Sequence, residues 1–137
     1  MTTWMLTGGA GYIGAHVIRS LQASGRDVVV LDDLSTGLAR KVPQDVPLVQ
    51  ANVGDSAAVT AALREHDVAG VVHLAAKKAV GESVERPEYY YRENVDGMLT
   101  LLESMAQAGT RNFVYSSSAA VYGTPAEEFV SEDAVLQ

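Results

Sequence analysis

The sequence predicts an α/β fold, a doubly wound parallel sheet with helices on both faces. Short apolar runs alternate with segments of helical periodicity, and these runs lack the in–out alternation of half-exposed strands. A glycine-rich turn also separates the first run from the first helix. Strands buried on both faces have continuous apolar runs, and their alternation with helices is typical of parallel sheets with right-handed crossovers. The 137 residues are enough for one such domain.

The first elements follow from the spacing of apolar residues. Thr3 to Thr7 is a short apolar strand that leads into glycines. Apolar residues spaced by three and four predict a helix from Tyr12 to Ser24, and Gly25 lies where a C-terminal cap belongs. The run Val28 to Leu31 predicts a strand buried on both faces. A loop is predicted over 32–47, because this segment contains two prolines and a Ser-Thr-Gly triplet.

The remaining elements repeat this alternation. A weak strand covers 48–51, and Asp55 or Ser56 caps a helix that runs to about His66. Val71 to Leu74 is a further buried strand. We then predict a loop over 77–85, a long helix from Pro87 to Ala108 closed by Gly109, and a last strand over 113–115.

Composition and charge argue against several classes of protein. The net charge is −7 and the isoelectric point is about 4.8, whereas nucleic acids and anionic membranes attract basic surfaces. The absence of cysteine excludes disulfides and thiolate chemistry, and no His or carboxylate pair has metal-site spacing. There is no signal-peptide pattern and no apolar run of about 18 residues. We therefore expect a soluble cytoplasmic protein without a nucleic-acid, membrane or metal partner.

A glycine-rich loop joins the first strand to the first helix. Its sequence, TGGAGYIG over 7–14, fits both G-x-G-x-x-G from Gly9 and G-x-x-G-x-x-G from Gly8. Between a strand and a helix, either pattern is typical of dinucleotide binding. Backbone N–H groups at the positive end of a helix approach a pyrophosphate there, and a Cβ would block it. A plain tight turn is the alternative.

Asp32 supports the dinucleotide interpretation. It lies at the end of the second strand, about 20 positions after the glycine motif, where a carboxylate accepts hydrogen bonds from the adenosine ribose hydroxyls. Its charge, with that of Asp33, repels a 2′-phosphate and therefore favours NAD over NADP. A solvated Asp-Asp turn is the alternative.

Four motifs together indicate a family. TGGAGYIG, DDLSTG, HLAAKKAVGES and SSSAAVYG occur in this order and at suitable spacing along the chain. With them the sequence resembles the UDP-glucose 4-epimerases, also called UDP-galactose 4-epimerases, of the extended short-chain dehydrogenase/reductase superfamily. The resemblance implies a Rossmann-like NAD-binding domain. The glycine loop marks only the superfamily, whereas KAVGES and the serine triplet before AAVYG are more particular to the epimerases.

The resemblance implies a cofactor site built from several segments. Residues at the pyrophosphate would be Gly8, Gly11, Tyr12, Ile13 and Gly14. Residues around the adenosine ribose and the adjoining phosphate would be Asp32, Asp33, Leu34, Ser35, Thr36 and Gly37. Residues along the groove would be Leu74, Ala75, Ala76 and Ser116. Ala76 and Lys77 replace the commoner Gly-Leu of the family, with little implied for the chemistry.

Further cofactor positions follow from the same resemblance. Asn52 and Val53 fall where the family has an Asp and an apolar residue at the adenine. The amide oxygen of Asn52 can accept from the adenine amino group, but it adds no charge. Lys78 matches a family lysine near the cofactor and sugar-nucleotide phosphates, with a solvated loop lysine as the alternative. Asn94 matches a family asparagine on the long helix, and a surface position is its alternative.

The reaction is also implied by the resemblance. Bound NAD takes a hydride from C4 of a UDP-hexose, and the 4-keto sugar turns over and receives the hydride on its other face. Such an oxidation needs a base for the hydroxyl proton and a donor at the developing carbonyl. In the superfamily a Tyr-x-x-x-Lys motif supplies the base, and Ser118 matches the serine that contacts the reacting oxygen. The alternative is that the triplet caps a strand end. His73 is expected to be a core residue, not a base.

Tyr-x-x-x-Lys occurs nowhere in the chain. We therefore expect residues 1–137 to be an incomplete Rossmann domain, the N-terminal part of an epimerase, inactive alone and binding NAD weakly at best. The resemblance implies a homodimer of the full-length enzyme through the 87–108 helix, whose apolar stripe would otherwise be partly exposed at Val95, Met98, Leu102 and Met105. The alternatives are another nucleotide-sugar epimerase or dehydratase, or a non-catalytic NAD-binding module.

Overall fold

A five-stranded parallel sheet forms the centre of the fold. The computed structural model describes residues 2–126 and 128–137. The strands lie in the order β3-β2-β1-β4-β5, so the predicted doubly wound parallel sheet is confirmed. Their bounds are Thr3–Thr7 for β1, Asp27–Asp32 for β2, Leu48–Gln50 for β3, Val68–His73 for β4 and Asn112–Tyr115 for β5.

Helices cover both faces of the sheet. Helix α1 (Tyr12–Ala23) packs on one face, and α2 (Ser56–Glu65) and α5 (Gly97–Ala108) pack on the other. Gly25 and Gly109 follow the ends of α1 and α5 with φ of 75° and 82°, a left-handed conformation that glycine adopts without strain. Both predicted helix ends are therefore confirmed. Within the described ranges, no helix is long and apolar enough to cross a membrane.

The apolar run of β2 is buried on both sides of the sheet. Val28 and Val30 pack against Ile18 of α1, whereas Leu31 packs on the opposite face with Leu101 of α5. All five side chains are at most 6% exposed. Burial of each such side chain contributes about 1.5–3 kcal/mol, which explains why the run lacks polar alternation.

The loop predicted over 77–85 contains a helix. Helix α3 spans Val80–Glu85, and its Glu82 accepts a hydrogen bond from the Tyr90 hydroxyl at 2.9 Å. Glu82 also pairs with Arg86 at 3.3 Å. The prediction of a loop was wrong because six residues are too few for an apolar period, and contacts with the next helix hold this one. Strand β4 also begins earlier than predicted, at Val68.

The predicted long helix is interrupted by a π-helical turn. Its parts are α4 (Pro87–Tyr91), the π turn Arg92–Asp96 and α5. Pro87 occupies the first turn as predicted. π-helical turns inside α-helices are rare and frequently lie at functional sites. This turn places Glu93 and Asn94 beside the ends of the strands.

Candidate cofactor-binding site

The predicted site residues lie at the carboxyl edge of the sheet. Strand pairing continues just past the strand ends, since the Gly8 amide donates to the Leu31 carbonyl at 2.9 Å and the Leu74 amide to the Thr7 carbonyl at 3.0 Å. In open α/β sheets, ligands bind outside these carboxyl ends, at the point where the strand order reverses. The segments that begin at this edge are 7–14, 32–37, 51–54, 74–78 and 116–118.

The glycines of the first loop have two different roles. A Cβ on Gly8, whose φ is +73°, would lie 2.7 Å from the Ala75 amide nitrogen. A Cβ on Gly14 would lie 2.6 Å from the carbonyl oxygens of both Gly8 and Gly9. A Cβ on Gly11 would meet only the Gly8 carbonyl oxygen, at 3.2 Å. The fold itself therefore requires glycine at 8 and 14, whereas the packing at Gly11 is much less restrictive.

The start of α1 presents free backbone donors. No side chain in the described part of the chain caps this helix, and its first turn has no acidic residue. Gly11, the N-cap residue, has extended dihedral angles. The first N–H groups of a helix lack intrahelical acceptors, and the helix dipole adds positive potential there. The turn over 11–14 is therefore suited to a phosphate group.

Asp32 joins the glycine loop to the loop after β2. Its Oδ2 accepts from the Ala10 amide and its Oδ1 from the Leu34 amide, each at 2.9 Å. The residue is 7% exposed, so the solvated-turn alternative is wrong for Asp32. A Cβ on Gly37 would lie 2.7 Å from Asp32 Oδ1, which brings the end of the DDLSTG motif against this carboxylate.

Lys77 connects the loops after β4 and β2 across the end of β1. Its ammonium donates to the Ser35 hydroxyl at 2.6 Å and lies 3.9 Å from Asp33 Oδ2. The Ser35 hydroxyl and amide both donate to Asp33 Oδ1, at 2.6 and 2.9 Å. Burial raises the pKa of Asp33, but the Ser35 hydrogen bonds, with the Lys77 charge and Asn52, outweigh it and hold this pKa below 3.8. These contacts of Lys77 with Ser35 and Asp33 were not predicted from the sequence.

Asn94 holds the loop that carries Lys77. Its Oδ1 accepts from the Lys77 amide at 2.8 Å and its Nδ2 donates to the Lys77 carbonyl at 2.9 Å. The surface alternative for Asn94 is therefore wrong. Nearby, Leu74 and Ala75 are partly buried, whereas Ala76 and Lys78 are exposed.

The Asn52 amide is bonded to the protein at both ends, and its contact with adenine stays a prediction. Its Oδ1, the oxygen predicted to accept from adenine, accepts one hydrogen bond from the Gly54 amide at 2.7 Å. Its Nδ2 donates to Glu93 Oε2 at 3.0 Å and to Asp33 Oδ2 at 3.3 Å. The Val53 side chain is 8% exposed and belongs to the hydrophobic core.

The serine triplet follows β5. The Ser116 amide donates to the His73 carbonyl at 3.2 Å and extends the sheet. Ser118 is exposed, and its Oγ accepts from the Ala120 amide at 3.2 Å, at the start of the 3₁₀ turn Ala119–Tyr122. Ser118 thus caps the 3₁₀ turn, not the end of β5 that the alternative named. Its contact with a reacting oxygen stays a prediction.

His73 is a core residue, as predicted. It is 4% exposed, and its Nδ1 lies 2.6 Å from the Thr7 hydroxyl. Its ring stacks with those of Phe113 and Tyr115, with both centroid distances at 6.1 Å. Burial lowers its pKa from 6.5, so the ring is neutral at physiological pH.

The fold and the strand-end arrangement define a Rossmann-like α/β domain of the kind that binds dinucleotides at its carboxyl edge. The chain belongs to the NAD dependent epimerase/dehydratase family, whose model matches residues 4–136. The expected resemblance to epimerases is thus confirmed at the level of this family.

Similar proteins agree with this assignment. The UDP-glucose 4-epimerase of Azospirillum brasilense is 44% identical over 95% of this chain and 37% of its own length. That of Lactobacillus helveticus is 42% identical over 96% of this chain and 40% of its own length. The chain therefore spans about 40% of the length of these relatives.

Solved structures of such epimerases have the same fold. The Stenotrophomonas maltophila UDP-glucose 4-epimerase, with bound NAD and formylated UDP-arabinopyranose, has a TM-score of 0.90 and 38% identity, covering 100% of this chain and 43% of its own. The Brucella ovis enzyme, in complex with NAD, has a TM-score of 0.89 and 36% identity, covering 100% of this chain and 42% of its own.

Proposed function

We propose that residues 1–137 form the N-terminal NAD-binding part of a UDP-glucose/UDP-galactose 4-epimerase. The observation that carries the proposal is the buried Asp32 carboxylate, bonded to the glycine loop at the carboxyl edge of the sheet. A buried carboxylate beside a turn suited to phosphate supports the proposal, because an adenosine dinucleotide requires a hydroxyl acceptor next to a phosphate site. The similar UDP-glucose 4-epimerases and their NAD complexes support the choice of enzyme.

The residues present fit NAD. The first turn of α1 offers N–H donors to the pyrophosphate. Gly11 has no side chain, which leaves room for the pyrophosphate beside this turn. The second lone pair of each Asp32 oxygen is available to a ribose hydroxyl, whereas a 2′-phosphate would meet this buried negative charge. When bound, NAD supplies the hydride acceptor. Residues 74–76, Lys78, Asn94 and Ser116 would complete the groove.

A UDP-hexose is the proposed substrate of the whole enzyme. Lys78, exposed after β4, would contact its phosphates, and Ser118, exposed after β5, would donate to the C4 oxygen. The chain contains no Tyr-x-x-x-Lys, so it lacks the base that the resemblance implies. We therefore propose that this 137-residue polypeptide alone does not epimerise its substrate.

We also propose a homodimer of the whole enzyme through the helical segment 87–108. An outward apolar face supports it, because Val95, Leu99 and Leu102 are 47%, 54% and 40% exposed. Met105, which we expected on this face, is 4% exposed and belongs to the core instead. The spacing of apolar residues in this helical segment could not separate its outward face from its core face, because both faces are apolar. A cytoplasmic location and the lack of a nucleic-acid partner stay predictions.

The cofactor proposal predicts selective binding of NAD. We expect NAD titrated into ¹⁵N-labelled protein to shift the amide resonances of 8–14 and 32–37 at millimolar concentration. NADP should bind at least about tenfold more weakly, because its 2′-phosphate approaches the Asp32 carboxylate. Equal affinity for the two dinucleotides, or shifts confined to other segments, would contradict the proposed site.

The lack of a base predicts no turnover. UDP-galactose incubated with the 137-residue protein and saturating NAD should yield no UDP-glucose above a protein-free blank, followed with UDP-glucose dehydrogenase as the coupling enzyme. A complete UDP-glucose 4-epimerase in the same assay is the positive control. Steady UDP-glucose formation that scales with the concentration of the polypeptide would refute the prediction.

A further inference from the structure

The strand order indicates where the adenine of a bound dinucleotide lies. The glycine loop follows β1, Asp32 ends β2, and β3 is the next strand outward. A ligand with its pyrophosphate at the first position and its adenosine ribose at the second extends its base toward the end of β3. Residues 51–54 follow that strand, so the groups around Asn52 would border the base. This step rests on the proposed binding of NAD.

The Asn52 amide is bonded to the protein at both ends, and both of its N–H groups are used. The Gly54 N–H can only donate, and it faces Oδ1 at 2.7 Å. The carboxylates of Glu93 and Asp33 accept, and both face Nδ2. A flipped amide would lose all three contacts, so the donors and acceptors around Asn52 fix its orientation. The group that Asn52 turns toward these carboxylates is a donor, whereas an adenine amino group needs an acceptor.

Two carboxylates meet at Asn52, and their environments differ. Asp33 lies 3.9 Å from the Lys77 ammonium and accepts two hydrogen bonds from Ser35. Glu93 has no ion pair within the described ranges, and its Oε1 has no hydrogen-bond donor there. Glu93 is the carboxylate with free acceptor capacity.

The π-helical turn sets the position of Glu93. The next residue, Asn94, is bonded through both ends of its amide to the Lys77 backbone. That attachment fixes the turn against the loop after β4, while Glu93 reaches the end of β3. Glu93 is partly buried, and its Oε2 already accepts from the Asn52 amide before any ligand arrives.

We propose that Glu93 recognises the exocyclic amino group of adenine and so determines base specificity in NAD binding. The carboxylate accepts from the 6-amino group, while Asn52 holds it in place. A hydrogen bond from a neutral donor to a charged acceptor is stronger than one between neutral groups. A 6-oxo base would instead present an oxygen to this carboxylate and be disfavoured.

The test compares NAD with nicotinamide hypoxanthine dinucleotide, which has a 6-oxo group instead of the amino group. Dissociation constants come from resonance shifts of the ¹⁵N-labelled protein, which needs no turnover. The unsubstituted protein should prefer NAD by about tenfold. Glu93→Gln should bring this ratio close to one, because a Gln amide can turn either its oxygen or its NH₂ toward the base. Asp96→Asn, an equal charge change in the same π turn, should leave the ratio unaltered.

Each outcome has a separate meaning. A Glu93→Gln protein that binds NAD and keeps the preference would overturn the inference while leaving NAD binding intact. Loss of the preference in Asn52→Ala but not in Glu93→Gln would assign recognition to Asn52 and also overturn it. Failure of the unsubstituted protein to bind either dinucleotide would instead refute the proposed function on which the inference rests.

Discussion

Replacement of Gly14 by alanine is expected to lower the free energy of unfolding by about 3 kcal/mol, the upper range for overpacking a tight interior. The added Cβ would lie 2.6 Å from the Gly8 and Gly9 carbonyl oxygens and from the Gly9 Cα. These are backbone atoms of the turn between β1 and α1, so no side-chain rotation relieves the clash. Urea unfolding followed by circular dichroism measures the change.

Gly11→Ala is the matched substitution in the same loop. Its Cβ meets a single backbone oxygen, at 3.2 Å, and the φ of −77° at this position is acceptable for alanine. We expect a loss of stability below about 1 kcal/mol but at least tenfold weaker NAD binding, since the methyl group would occupy space used by the pyrophosphate. The prediction that Gly14→Ala costs more stability than Gly11→Ala would be refuted if both substitutions destabilised the fold equally.

Features that depend on neighbouring residues could be predicted from the sequence. The apolar run of β2, the glycines that end α1 and α5, and the glycine loop each depend on local geometry or on a short period. Asp32 could be placed because it ends a strand, and parallel strand ends share one edge. These local signals were enough to predict the sheet and the principal segments of the candidate site.

The roles of Lys77 and Glu93 depend instead on contacts between distant segments. Lys77 bonds to Ser35, 42 positions away, and Glu93 to Asn52, 41 positions away. The registers of four strands and a π-helical turn bring them together, and no local pattern encodes that turn. For Lys77 the one available signal was a charged residue at a position where the family that the chain resembles commonly has Leu. For Glu93 we find no sequence signal.

Asp32→Asn is expected to affect stability and cofactor choice together. Both carboxylate oxygens of Asp32 accept from backbone amides, of Ala10 and Leu34, in a site that is 7% exposed. An Asn has one acceptor oxygen, so in either orientation its NH₂ opposes one of these N–H groups. An unsatisfied buried donor costs about 1–3 kcal/mol, and we expect a loss of that size in urea unfolding.

The same substitution removes the charge that opposes a 2′-phosphate. We expect NAD affinity to fall at least tenfold, because a charged acceptor for the ribose hydroxyls is lost. We also expect the preference for NAD over NADP to shrink.

Asp33→Asn is the control. Its side chain is 32% exposed, so water can replace lost contacts, and both effects should be smaller. If Asp32→Asn unfolded like the unsubstituted protein and kept its NAD preference, Asp32 would be neither the link between the two loops nor the group that selects the cofactor. The two roles would be coupled because one buried carboxylate bonds to the glycine loop and, in the proposed complex, also accepts from the ribose.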